Sequence, residues 1–140
     1  MQLADLQRLL DDAPVHRALR LQVVSCDADR LVLRAEASAE HAGTDGGEFL
    51  HGGVVATVLD TAATFALIAA TGDDWSTVDL RLDYLRPAPA GALEARAAVV
   101  QAGRRLGRAT AELIRAGSGR VLACAAGTFA RAEPAPGAAR

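Results

Sequence analysis

No lysine and no asparagine occur among the 140 residues, and all 15 basic side chains are arginine. The formal net charge is -2, so the basic excess expected of a nucleic-acid-binding domain is missing. Cysteine is limited to Cys26 and Cys124, which form no CxxC pair. His16, His41 and His51 share no metal-ligand spacing with them, so neither a metal nor a cofactor is expected. The start, MQLADLQRLLDDAP, lacks the basic-then-apolar form of a signal peptide, and a cytoplasmic protein with ordinary thiols is expected. Only one run approaches membrane-span length, residues 54–71 (VVATVLDTAATFALIAAT). It is rich in Ala and Thr and holds Asp60, whose insertion would cost roughly 2.5–3.5 kcal/mol. A membrane span is not expected.

What is present is the balance of a folded protein: 51% hydrophobic and 23% charged residues, enough for one domain. Residues 1–132 are expected to form it, with 133–140 (EPAPGAAR) a disordered tail. Residues 2–12 read as a helix with Leu3, Leu6, Leu9 and Leu10 on one face, ended by Pro14. Strands are expected at 18–26 and 30–38, then a Gly-rich loop over 39–50 and an apolar helix over about 53–71. Four further strands are expected over 76–87, 92–101, 108–116 and 120–130. In the first of these, strict alternation puts Val78, Leu80, Leu82 and Tyr84 on one face and Thr77, Asp79, Arg81 and Asp83 on the other. The fold class is α+β, an antiparallel sheet carrying one long helix. That helix is apolar almost all round, and a sheet covers only one side, so a second copy of the helix is the simplest remaining cover.

The chemistry concentrates on that helix. Thr57, Asp60, Thr61 and Thr64 form one polar stripe, and Gly53 lies on it, seven residues before Asp60. Burying an unpaired carboxylate is expensive. Either Thr57 or Thr64 satisfies Asp60 and its role is structural, or Asp60 is a general base or nucleophile at an open cleft. The helix start favours the second reading. Free N–H groups and the positive dipole end suit a developing oxyanion, and Gly52 and Gly53 allow a carbonyl to approach closely. Seven helical residues span about 10.5 Å, too far for one carbonyl to meet both Gly53 and Asp60 of one helix. Two antiparallel copies would bring Gly53 of one opposite Asp60 of the other, so a site shared between subunits is expected.

HGGVVATVLDTAA (51–63) resembles the signature of the PaaI-type hotdog-fold thioesterases: His-Gly-Gly, then an acid seven positions after the second Gly. DYLRPAPAG (83–91) and GRVLACAAGTFA (119–130) are similar to later family segments, so the likeness spans about residues 30–130. The resemblance implies a hotdog fold, a curved antiparallel sheet wrapped around a central helix, and pairing into homodimers and then tetramers. It implies an acyl-CoA substrate hydrolysed to free acid and CoA. Asp60 would be nucleophile or base, the Gly53 N–H the oxyanion donor, and His51 a thioester-positioning group. Thr77 would hold the attacking water. Relatives carry Asn six residues before the His, where this chain has Asp45; a second carboxylate there would repel an oxyanion unless the loop follows another path. Arg86, Arg104, Arg105 and Arg108 are candidates for the CoA phosphates, alternatively a solvated surface. Phe49, Phe65 and Leu67 are candidate acyl contacts, and Gly52, Thr61, Thr64 and Tyr84 further substrate contacts. A hydratase or dehydratase on thioester-linked chains and a non-catalytic acyl-CoA binder are the alternatives.

Overall fold

A computed structural model describes residues 1–132; the expected tail at 133–140 lies outside the described residues. Leu3–Asp12 form α1 and Pro14–Ala18 form α2, and Gln22–Cys26 and Arg30–Ala37 form β1 and β2. A 3₁₀ turn at Ala39–His41 and an irregular loop lead to α3, Gly52–Thr71. Trp75–Tyr84, Gly91–Ala102, Leu106–Arg115 and Val121–Arg131 then form β3, β4, β5 and β6.

The six strands make one antiparallel sheet in the order β1-β2-β4-β5-β6-β3. This is the hotdog arrangement. Five of the six strands, β2 to β6, pack against α3. The inward side chains are small in many places: Ala35, Ala37, Ala95, Ala97, Ala109, Ala111, Ala123 and Ala125 are all buried. Small side chains let the sheet close tightly around Val58, Leu59, Ala62 and Leu67 of the helix. α3 is long and apolar enough to cross a bilayer, but here it is the core element. Gly72 ends it in the left-handed region at φ 74°, with its N–H donating to the Ile68 carbonyl.

Three expectations need correction. Pro14 ends α1 but also opens α2, because a residue lacking an N–H costs nothing in a first helical turn. The strand expected from residue 18 therefore begins only at Gln22. On α1 the core takes Leu6 and Leu10, while Leu3 and Leu9 are largely exposed. The third is in β3. The pairing with β6 runs Thr77 to Phe129 and then Asp79 to Thr128, so Val78 is an extra, bulged residue. The bulge breaks the alternation. Thr77 lies opposite buried Phe129, on the α3 side with Leu80 and Leu82, and Val78 turns to solvent, 60% exposed.

The two rims of the sheet differ. At β1, the Gln7 side chain of α1 accepts from the Val23 N–H (2.7 Å) and donates to the Leu21 carbonyl (3.2 Å). β3 forms the opposite rim, and no strand among the described residues pairs with its outer side.

Candidate active site

α3 carries an open stripe along an otherwise buried surface. Gly53, Thr57, Asp60 and Thr64 are exposed or half-buried, while the residues beside them, Val58, Leu59, Thr61, Ala63 and Leu67, are buried. Helical spacing puts β3 on one flank of the stripe, through Asp60, and α2 on the other, through Thr61.

Asp60 is held from the β3 side. The Thr77 hydroxyl donates to its Oδ1 at 2.7 Å. The threonines of its own helix bond elsewhere: Thr57 donates to the Gly53 carbonyl at 2.9 Å and Thr61 to the Thr57 carbonyl at 2.7 Å. No hydrogen bond joins Asp60 to Thr57 or Thr64 among the described residues; its partner is Thr77 of β3 instead. The Val78 bulge creates the Thr77 contact, since uninterrupted alternation would turn the hydroxyl away from α3.

At the helix start, the Gly53 N–H donates to Nδ1 of His51 at 2.9 Å, so the His51 ring is the N-cap. The nitrogen marks a position where an acceptor reaches this N–H without disturbing the helix. Tyr84, at the end of β3, donates from its hydroxyl to the Gly52 carbonyl at 3.0 Å. His51, Gly52, Gly53 and Tyr84 are therefore gathered at one end of α3, with Asp60 and Thr77 further along the stripe.

Other expected site residues go elsewhere. Thr61 is 4% exposed; its hydroxyl serves the Thr57 carbonyl and lies 3.2 Å from Nε2 of His16, which removes it from the open stripe. Phe65 and Leu67 are core residues rather than acyl contacts at a surface. Phe49 is 38% exposed, in a short bridge with Pro89. Asp45 lies in an exposed turn closed by the Gly47 N–H on the Thr44 carbonyl, so the loop carries the carboxylate outward. The arginines do not form one group within the chain. Arg86 follows β3 near the start of α3 and donates to the Val121 carbonyl at 2.8 Å. Arg104 and Arg105 occupy the β4–β5 turn, at the end of the sheet where α3 finishes, and Arg108 lies on the outer sheet face opposite Thr128. His16, which carries no motif, emerges as a contact between α2 and α3. Cys26 is half-buried; burial raises its thiol pKa, Asp27 raises it further, and the N-terminal charge opposes both.

Residues 47–122 match the family model described as the thioesterase superfamily. The chain belongs to that superfamily and is a thioester hydrolase. A curated relative from Salmonella typhimurium, medium/long-chain acyl-CoA thioesterase YigI, is 30% identical over 115 residues, 71% of this chain and 74% of the relative. A solved thioesterase family protein from Silicibacter pomeroyi is 28% identical with a TM-score of 0.84, covering 95% of this chain and 100% of that one. The E. coli PaaI protein of the phenylacetic acid degradation operon superposes with a TM-score of 0.80 over 94% of this chain and 97% of its own. At 23% identity it speaks for the fold alone.

Proposed function

We propose that the chain hydrolyses an acyl-CoA thioester in a site shared by two copies, with Asp60 as the essential carboxylate. The observation that carries this reading is the 2.7 Å hydrogen bond from Thr77 to Asp60 on an open stripe of α3. A hydroxyl that donates to the carboxylate keeps its lone pairs free to accept from a water, and the carboxylate accepts from the same water. Asp60 takes the water's proton as the water attacks the thioester carbonyl, or attacks that carbonyl itself to give an anhydride that water then cleaves. In both, collapse of the tetrahedral oxyanion breaks the C–S bond and CoA leaves as the thiol, taking a proton.

The oxyanion forms at the Gly53 N–H. A thioester oxygen arriving there replaces Nδ1 of His51 as the acceptor, and the displaced ring lies beside the thioester it helps to orient. Gly53 and Asp60 are separated by about 10.5 Å along one helix. The stripe of one α3 therefore faces the stripe of another, antiparallel, and each carbonyl lies between Gly53 of one copy and Asp60 of the other. The unpaired rim of β3 and the exposed Val78 suit the same pairing. Such dimers associate further into tetramers. Arg86 of one copy and Arg104 and Arg105 of the other come to the same end of the paired helices, where the CoA phosphates bind. Cys26 and Cys124 are free thiols, in keeping with a cytoplasmic location.

The test is release of free CoA from a panel of acyl-CoAs. Hydrolysis is expected from the wild-type chain, and Asp60→Asn should lower kcat by roughly 10²–10⁴-fold. Binding without CoA release would favour a carrier, and hydration of an enoyl-CoA would favour a hydratase. For the shared site, Asp60→Ala and Gly53→Pro chains are mixed. Proline removes the N–H and is tolerated in a first helical turn. Partial recovery of activity is expected, and no recovery from a mixture that forms hybrids would refute sharing.

A further inference from the structure

With Phe65 and Leu67 in the core, the acyl group needs another place. A cleft of about 310 Å³ lies beside the start of α3. Val15 and Ala18 of α2, with Leu19, line it on one side, and Val54 and Thr57 of α3 on the other. Gly53 and His51 belong to the same lining, so the cleft is continuous with the helix start. Its polar part is the 3₁₀ turn, with Glu40 and His41, and no aromatic ring other than the two imidazoles borders it. The volume is at the small end of the ~300–1,000 Å³ usual for small-molecule sites.

His16 ties α2 to its neighbours, beside the buried Leu19 that ends it. Its Nδ1–H donates to the Leu10 carbonyl at 2.9 Å, and its Nε2 meets the Thr61 hydroxyl at 3.2 Å. The ring stands edge-on to Phe65, with centroids 5.8 Å apart and planes at 83°. One side chain thus joins α1, α2 and α3. Through Thr61 the connection continues to the Thr57 carbonyl, and through Thr57 to the Gly53 carbonyl. A five-residue helix is too short to be stable alone, so the wall it forms depends on such tertiary contacts, of which the His16 ring is the one that reaches α3.

We infer that this cleft is the acyl subsite, that it takes an unbranched aliphatic chain of short to medium length, and that His16 is the residue positioning its α2 wall. The inference rests on the hydrolase reading of Gly53 and Asp60. Aliphatic walls favour an alkyl chain over an aryl group, and a cleft of about 310 Å³ suits a short to medium chain. The α2 side chains make the preferred length adjustable, because an extra or missing methylene in an apolar pocket changes kcat/KM by about 10–200-fold.

The experiment measures kcat/KM for saturated straight-chain acyl-CoAs from acetyl to palmitoyl, with the wild-type chain, Ala18→Trp and His16→Gln. Ala18 is exposed, so the indole enters the cleft without entering the core. The wild type should prefer an intermediate length. Ala18→Trp should lower the ratio of octanoyl to acetyl kcat/KM by about tenfold or more. His16→Gln should broaden the length profile, chiefly through KM for the preferred substrate, because the wall loses its ring contact. Circular dichroism spectra matching the wild type accompany both variants. An unchanged profile in a folded Ala18→Trp, or a wild-type optimum at palmitoyl, overturns the subsite alone. If no acyl-CoA releases CoA, the hydrolase reading fails and the subsite fails with it.

Discussion

Replacing Thr77 by valine tests whether the β3 bulge serves the chemistry. The substitution keeps the branched shape and removes only the hydroxyl that donates to Asp60 at 2.7 Å. Thr77 is exposed and valine favours strands, so stability should change by no more than about 0.5 kcal/mol. A hydrogen bond to a charged group contributes about 1.5–3 kcal/mol. If that energy orients Asp60 and its water in the transition state, the loss becomes a factor of roughly 10–150 in kcat at 1.36 kcal/mol per decade. KM should move little, because Thr77 bonds the carboxylate and not the acyl chain or the nucleotide. The assay is steady-state release of CoA followed with a thiol reagent, alongside a denaturant titration of both proteins. Thr77→Ser restores the hydroxyl and should recover most of the rate. A folded Thr77→Val with kcat within about twofold of wild type would refute the reasoning, because the contact would then be structural only.

Further outcomes follow from packing and burial. A Cβ added at Gly127 would lie 2.9 Å from the Asp79 carbonyl oxygen and 2.8 Å from Leu80 Cδ1, beside the bulge. Gly127→Ala should therefore cost about 1–3 kcal/mol in urea denaturation, and a cost below about 0.5 kcal/mol would mean that β3 shifts freely. At Gly107 the added atom would meet Leu67 and Trp75 side chains at 2.9 Å, so Gly107→Ala should destabilise by a similar amount and change the tryptophan fluorescence. Burial raises the Cys26 pKa, which leaves less thiolate at any given pH. Alkylation of Cys26 at pH 8 should be slower in the folded chain than in the urea-unfolded one, and equal rates would contradict this.

The site was legible in the sequence where helical period governs it. Counting alone puts Gly53, Thr57, Asp60, Thr61 and Thr64 on one stripe of an apolar helix, but it does not show that Thr61 turns under α2 and is buried. The facing of Thr77 was not legible. Alternation gives the wrong face, because a single extra residue reverses every side chain before it, and the local pattern of β3 carries no mark of the bulge. No sequence signal marks His16, because its partners, Leu10, Thr61 and Phe65, are far apart in sequence or contribute only a backbone atom. Pro14 is ambiguous in the sequence because proline both stops one helix and starts another. Sequence alone does not separate the arginines, because the β3–β4 connection that holds Arg86 and the β4–β5 turn that holds Arg104 and Arg105 lie at opposite ends of the same sheet. Fold class was more accessible, since strand after strand alternated with turn residues between them.

Gln7 has a consequence beyond α1. By engaging the Val23 N–H and the Leu21 carbonyl it occupies the first part of the β1 border, whereas among the described residues nothing pairs with the outer side of β3. A strand that docks on the free margin of β3 pairs antiparallel or parallel to it and leaves the β1 margin to its own contacts with α1. One half-buried glutamine thereby makes the two margins chemically unlike, with backbone groups of β1 satisfied by a side chain and those of β3 open to a partner.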